Sequence, residues 1–402
     1  MPLQCSNCAG PLTFDPDIGK LSCSQCGGSY EVTHNDDTGL VDLNKIFEDR
    51  SALRSMDLSI YTCSTCGGSV SVEGSEITSV CPFCGNTGVI FDRIAKKRRP
   101  DAVIPFAFGK RAAEEKVRLH LMDSAFLSPE QKTMKFRSVV GIYIPYYIIH
   151  GESKRVIIFE HREKRRSGRV ETDHISKSTR CIYDGLTLEA SRALLDEASS
   201  RIEPFDLSGL KTFEEGYIQG FCSDMADEDA EALYRKARRM CKDYEAEQIR
   251  RMKIVPNSYY AVDSKDKLKF RGRAVYALFP VWFVSGTYKK TNVTFIVNGQ
   301  TGKVVGSMPY SKTRYASSVF AMSLLTVPAF TLIGMAGLYA LTVSALHASF
   351  AAVYIGAGLL ALVSLIMTYA GKRLDKVREI ISLSSSKRLV RFAGRRELHD
   401  RT

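Results

Sequence analysis

The sequence predicts an α+β multidomain protein with two small β zinc ribbons, a central α+β domain and a C-terminal transmembrane α-hairpin. Three observations predict it: a duplicated set of paired cysteines within the first 84 residues, strands alternating with helices through the middle, and 57 residues without a charge, Tyr315 to Gly371, near the end. At 402 residues, 45% hydrophobic and 25% charged, the chain suffices for two or three ordinary domains, and whole-chain disorder is excluded.

Eight of the 11 cysteines fall as Cys5-x2-Cys8, Cys23-x2-Cys26, Cys63-x2-Cys66 and Cys81-x2-Cys84. Fourteen residues separate the pairs in each half, and the second set is the first displaced by 58 positions, the mark of a duplicated module. Four thiolates per module can meet at tetrahedral corners with Zn–S near 2.3 Å, leaving no open position. The expectation is two structural Zn2+ ions, each held by four cysteines. Gly10, Gly27, Gly68 and Gly85 follow the second cysteine of each pair and suit a tight turn that needs positive φ. A redox pair would sit beside a βαβ pattern, which is absent here, and a disulfide framework conflicts with the reducing compartment that the topology below implies. Cys181, Cys222 and Cys241 stand alone and read as buried thiols.

These readings give a first ribbon over 1–33, a helical linker over 34–62 and a second ribbon over 63–92. The central domain occupies 101–310. Its strands are expected at 104–108, 141–149, 258–262, 274–288 and 291–298, with the prolines of the first two marking edges or bulges. Helices are expected at 110–122, 187–200 and 227–252, and residues 155–175, rich in charge, read as an exposed hairpin around Ser167-Gly168. The chain contains no phosphate-binding glycine loop, dinucleotide fingerprint, zinc-protease helix or nucleophile elbow, so no enzyme is expected.

A bilayer crossing takes about 20 apolar residues. The uncharged interval accommodates two, at 319–343 and 350–369. Lys312 and Arg314 before it, and Lys372, Arg373, Lys376 and Arg378 after it, place both termini in the cytoplasm of an inner-membrane protein. The amino terminus has no secretory-signal pattern. Of the formal +12, a net +6 lies in the tail 372–402, where Lys372, Arg373, Lys376, Arg378, Lys387, Arg388 and Arg391 are expected to touch anionic phospholipid. Cys5 to Cys84 carry four basic and 11 acidic residues, the wrong sign for a phosphate-binding surface.

Besides the cysteines, the chain carries Val103-Ile-Pro-Phe106, Gly141-Ile-Tyr-Ile-Pro-Tyr146, Ile202-Glu-Pro-Phe-Asp206, Tyr217-Ile-Gln-Gly-Phe221, Pro280-Val-Trp282 and Val297-Asn-Gly-Gln-Thr-Gly302. On these strings it resembles bacterial TFIIB-type double zinc-ribbon membrane proteins of the PspA/SPFH envelope-stress neighbourhood. The resemblance implies partners at the membrane: an SPFH-type scaffold, a PspA-like protein and a second membrane subunit. The functional expectation is a membrane-anchored adaptor that recruits or assembles partner proteins in oligomeric complexes. The alternative is a tethered zinc-ribbon protein that binds nucleic acid.

Overall fold

The computed structural model describes residues 3–33, 55–64, 69–72, 81 and 89–306, apart from 124–126, 166–168, 192–193, 195, 225, 227–229, 257 and 289–290, together with Ser317 and Gly334. Strands β1 (Leu12–Asp15), β2 (Lys20–Cys23) and β3 (Ser29–Tyr30) form a small antiparallel sheet. All other described strands join one large sheet: β4 (Ser55–Cys63), β5 (Ser69–Val72), β6 (Val89–Arg98), β7 (Ala102–Val103), β8 (Phe136–Lys164), β9 (Val170–Glu189), β10 (Lys211–Thr212), β11 (Cys222–Ser223), β12 (Tyr260–Tyr288), β13 (Thr291–Asn298) and β14 (Val304–Gly306). Four helices accompany it among the described residues: α1 (Lys110–Asp123), α2 (Pro129–Lys132), α3 (Asp196–Ile202) and α4 (Ala230–Arg251).

The frame is the antiparallel pair β8 and β12, each 29 residues long. Side chains alternate faces along a strand. Ile142, Ile144, Tyr146 and Ile148 of β8, with Ala277, Phe279, Val281 and Phe283 of β12, enter one buried cluster that α3 covers through Ala198 and Ile202. Tyr143, Leu278, Trp282 and Val284 enter a second cluster on the opposite face, covered by α1 through Ala113, Val117 and Leu121. Residues at four-residue spacing share one helix face, which explains why this helix docks as the sequence pattern foretold.

Pro145 was expected at an edge or bulge, yet it lies inside a paired central strand, as does Pro280. Within a strand, a residue's N–H and C=O point the same way. The Pro145 carbonyl accepts from Ala190 N (3.0 Å) and the Pro280 carbonyl from Gly299 N (2.8 Å), so both nitrogens face away from the β8–β12 ladder. On that far side β8 exchanges β11, at Tyr143, for β9, at Tyr146, and β12 exchanges β7, at Leu278, for β13, at Val281. Each proline occupies the gap, where its missing N–H costs no ladder bond.

Beyond this body, β9, β8 and β12 continue as a three-stranded arm. The joint has register shifts on both ladders, between Arg271 and Val275 of β12 and between Ile149 and His150 of β8, with Gly185 at φ 84° opposite. Such bulges bend a strand and raise its twist. Helix α4 lies along the arm, with Ala237 and Cys241 in one contact and Ala246 and Ile249 in the next.

Several expectations are corrected. The described chain is dominated by sheet: the hairpin expected at 155–175 is present, with Lys164 of β8 paired to Val170 of β9, but as the end of two long strands, and the strands expected at 258–262 and 274–288 are one. Their charged residues pair across the arm, as Arg180 does with Glu152 at 2.8 Å, so alternation by hydropathy is weak there although pairing is continuous. The helix expected over 187–200 is replaced by the end of β9 and the short α3. Residues 55–62 of the presumed helical linker are strand β4, and 34–54 lie outside the described residues. The C-terminal transmembrane hairpin is also not borne out: among the described residues, no helix is long and apolar enough to cross a membrane. The segments 319–369, apart from Gly334, and the tail with Lys372, Arg373, Lys376, Arg378, Lys387, Arg388 and Arg391 lie outside the described residues. The expectation of a two-helix inner-membrane protein is corrected accordingly. Freedom from charge is a matter of composition, whereas a crossing requires one continuous helix that satisfies every backbone group, which hydropathy does not establish.

Candidate metal centre

Cys5 and Cys8 lie on one turn and Cys23 and Cys26 on another. Cys5 N donates to Gly10 O (2.8 Å) and Ala9 N to Cys5 O (2.8 Å), while Cys23 N donates to Gly28 O (2.9 Å) and Gly27 N to Cys23 O (2.9 Å). The turns superpose residue for residue. In both, the left-handed residue directly follows the second cysteine: Ala9 at φ 55° and Gly27 at φ 72°. The sequence reading assigned this role to Gly10. Instead a Cβ on Gly10 would lie 2.7 Å from Gln25 Oε1, and one on Gly28 3.2 Å from Tyr30 Oη, so the second glycine of each turn leaves room for neighbours.

The four sulfurs lie within 4.8 Å of one another, with Cys5 to Cys26 and Cys8 to Cys23 both at 3.5 Å. A tetrahedron with metal–sulfur bonds of about 2.3 Å has edges of about 3.8 Å, so this donor set fits a metal ion of that coordination. Cys5 and Cys23 are buried and Cys8 and Cys26 are exposed. Tyr30 Oη lies 3.1 Å from Cys5 Sγ and accepts from Ser6 Oγ at 3.2 Å. The Tyr30 hydroxyl, opposed by burial and aided by the amides of Cys8 and Asn7, pulls the Cys5 thiol down to about 6. Cys23 is lowered by the amides of Cys26 and Gln25. For Cys8 the Gly10 amide pulls down, but hydrogen bonding with Cys23 and burial prevail and push it up to about 12. Crowded thiolates repel, and a cation between them relieves that repulsion.

The second module is only partly within the described residues. The antiparallel bridge Gln4 with Pro11 recurs 58 positions on as Thr62 with Ser69. Cys63 and Cys81 are buried at 2% and 1%, as are their counterparts Cys5 and Cys23 at 3% and 1%. Cys66 and Cys84 lie outside the described residues, as do Gly68 and Gly85. Among the described residues one four-cysteine cluster is assembled, that of the first module.

Sequence reasoning missed a second polar centre, between α4 and the arm. Arg155 and Glu245 have fully buried side chains, with Nε 3.4 Å from Oε2. Ser153, Thr179 and Tyr183 donate their hydroxyls to the same carboxylate. Ser153 and Arg155 alternate with exposed residues along β8, a pattern obscured by their own polarity. Nearby Cys241 is pushed up to about 11 and Cys181 is raised, both chiefly by burial, and Cys222 is buried in the body. For Cys181 and Cys241 burial outweighs the nearby Arg155 cation, which keeps these thiols protonated and unreactive.

Geometry and donor set define a protein with a four-cysteine module able to hold a metal ion, docked on a large sheet. The chain is similar to the uncharacterized protein YdjG of Bacillus subtilis (strain 168), 27% identical over 333 residues that cover 78% of this chain and 92% of that protein. No protein-family profile and no solved structure matches the chain.

Proposed function

We propose that this protein is an adaptor that docks partner proteins on a zinc-stabilised scaffold. In this reading two Zn2+ ions are bound, one by Cys5, Cys8, Cys23 and Cys26 and one by Cys63, Cys66, Cys81 and Cys84. The observation that carries the reading is strand β6. It ends the sheet order, pairs only with β4 among the described residues, and exposes Ile90 (60%), Phe91 (51%) and Ile94 (67%) beside the second module. An open sheet edge can accept a further strand, and exposed apolar side chains on it supply anchors. The partners implied by the family resemblance, an SPFH-type scaffold and a PspA-like protein, are the first to test.

Nucleic acid is the weaker reading, because many basic residues are paired with acids: Arg98 with Asp101, Arg99 with Glu214, Arg165 with Glu171 and Arg180 with Glu152. The experiment combines metal analysis with co-purification of the full chain and each purified candidate partner. Two zinc ions per chain and a stable complex that Ile94→Lys abolishes are expected. Retained complexes in Ile94→Lys, or tight, salt-sensitive binding to DNA in their place, would reject it.

A further inference from the structure

We propose that the outer face of the arm docks an acidic segment of a partner protein, one that sets an apolar side chain among its carboxylates. The inference rests on the adaptor reading and deepens it, adding a second surface and the chemistry of what that surface takes. Helix α4 covers the inner face of the arm, where Ile157 and Phe159 of β8 meet Ala246 and Ile249. Successive residues of a strand belong to opposite faces, so those between Ile157 and its inward neighbours lie on the outer one. There Lys154, Arg180 and Lys269 are exposed, and Ile182 is 68% exposed.

Strand pairing arranges this face as four rows of three. Lys154 stands between Arg180 of β9 and Lys267 of β12, and Glu152 between Ile182 and Lys269. Val156, between Ser178 and Lys265, makes the row on one side, and His150, between Asp184 and Arg271, the row on the other. Of these 12 positions six are basic and two acidic, a net +4 with histidine neutral. Glu152 is shared by Arg180 (2.8 Å) and Lys154 (3.9 Å), and Asp184 meets His150. Two carboxylates cannot neutralise six cations however they pair, and the row beyond, with Ile158 between Ser176 and Asp263, adds only one acid. The surplus calls for an anionic partner. A nucleic-acid backbone or an anionic bilayer presents like charge throughout, and Glu152 and Asp184 within the rows repel it. Ile182 would also be left against phosphates without apolar cover. A protein segment avoids both penalties, because it can set carboxylates over Lys154 and Lys269 and an apolar side chain over Ile182.

The test uses the zinc-loaded full chain, labelled at isoleucine methyl groups, and four probes. These are a peptide of about 18 residues with leucines at helical spacing and glutamate elsewhere, its alanine-for-leucine analogue, a DNA duplex of about 20 base pairs and phosphatidylglycerol vesicles. Affinity is read by fluorescence anisotropy of the labelled peptide, and the place of binding by the Ile182 methyl resonance in NMR. The leucine peptide is expected to bind saturably and shift that resonance, with the alanine analogue about tenfold weaker for lack of the apolar contact. Lys154→Glu combined with Lys269→Glu should weaken the peptide by about tenfold or more. Both lysines are exposed, so the double variant should fold, which circular dichroism verifies, and Ile182→Ala, which keeps every charge, should weaken the peptide about threefold. Ile94→Lys on β6 should leave the peptide bound. Failure of the peptide while complexes that depend on Ile94 still form would therefore overturn this inference alone. An unmoved Ile182 resonance, or DNA or vesicles that shift it as the peptide does, would also overturn it. So would unaltered binding in the double variant, which would leave the lysines of β12 only the task of blunting a strand edge that is open along the arm among the described residues.

Discussion

The two cysteine modules share one spacing and yet stand in different structural situations. The first is a closed three-stranded sheet, β1 to β3, attached to the body through Phe14, whose ring meets Tyr217 edge-on at 5.2 Å and whose N donates to Gln219 O at 3.0 Å. It adds Cys5, Leu12, Phe14, Leu21, Cys23 and Val32 to the cluster on one face of the body. The second has no separate sheet among the described residues. Its strands β4, β5 and β6 belong to the large sheet, and Cys63, Val70 and Cys81 join the cluster on the other face. The same duplicated unit is thus an appended domain in one copy and a piece of the scaffold in the other. A small module relies on its metal because its own core is slight, whereas strands spliced into a larger sheet borrow its stability.

That contrast can be broken experimentally. The largest effect is expected from Cys23→Ser, or from chelation, at the first module. Metal coordination contributes about 10 kcal/mol or more in such small units, so hydrogen exchange should show the amides of β1 to β3 losing protection while β8 and β12 keep theirs. On the two-zinc proposal, Cys81→Ser should lower the metal content yet leave β4 and β6 protected through their nine-residue ladder. Equal loss of protection in both modules would erase the distinction.

Next in size is Phe14→Ala, which removes the aromatic contact that docks the first module. A loss of about 3 kcal/mol is expected from denaturant unfolding, with zinc content unchanged. If zinc is lost too, docking and metal binding are one event and the module is not independent. Tyr30→Phe deletes the hydroxyl beside Cys5 and should weaken metal affinity about tenfold, measured by chelator competition. The smallest effect is expected for Ala9→Gly, which relieves a left-handed conformation at an L-residue. Stability should rise by up to about 1 kcal/mol, whereas the equivalent Gly27→Ala should lower it.

The first module's ligand set was legible because four cysteines at fixed intervals are a local code: two tight turns present their sulfurs whatever surrounds them. The left-handed position was misread by one residue, since glycine is the usual choice and Ala9 occupies it here. The helices α1 and α4 were legible from their periodic apolar faces. The arm was not. Its inner face uses Ser153, Arg155 and Thr179, which meet Glu245 of α4, and such residues carry no hydropathy signal. The long uncharged run gave a strong hydropathy signal and still did not establish a membrane crossing.

By itself the sequence determined the duplication, the cysteine donor set and the apolar stripes that seat the helices. Each of these is written in residue type and short-range spacing, which act within a turn or two of chain. Only the tertiary structure decided that β8 and β12 run unbroken past their prolines, that Arg155 and Glu245 are buried against each other, and that the first module is docked on the large sheet while the strands of the second are part of it. Those outcomes depend on which distant strand supplies the missing partner, and a ladder or a buried charge is stable only when that partner arrives.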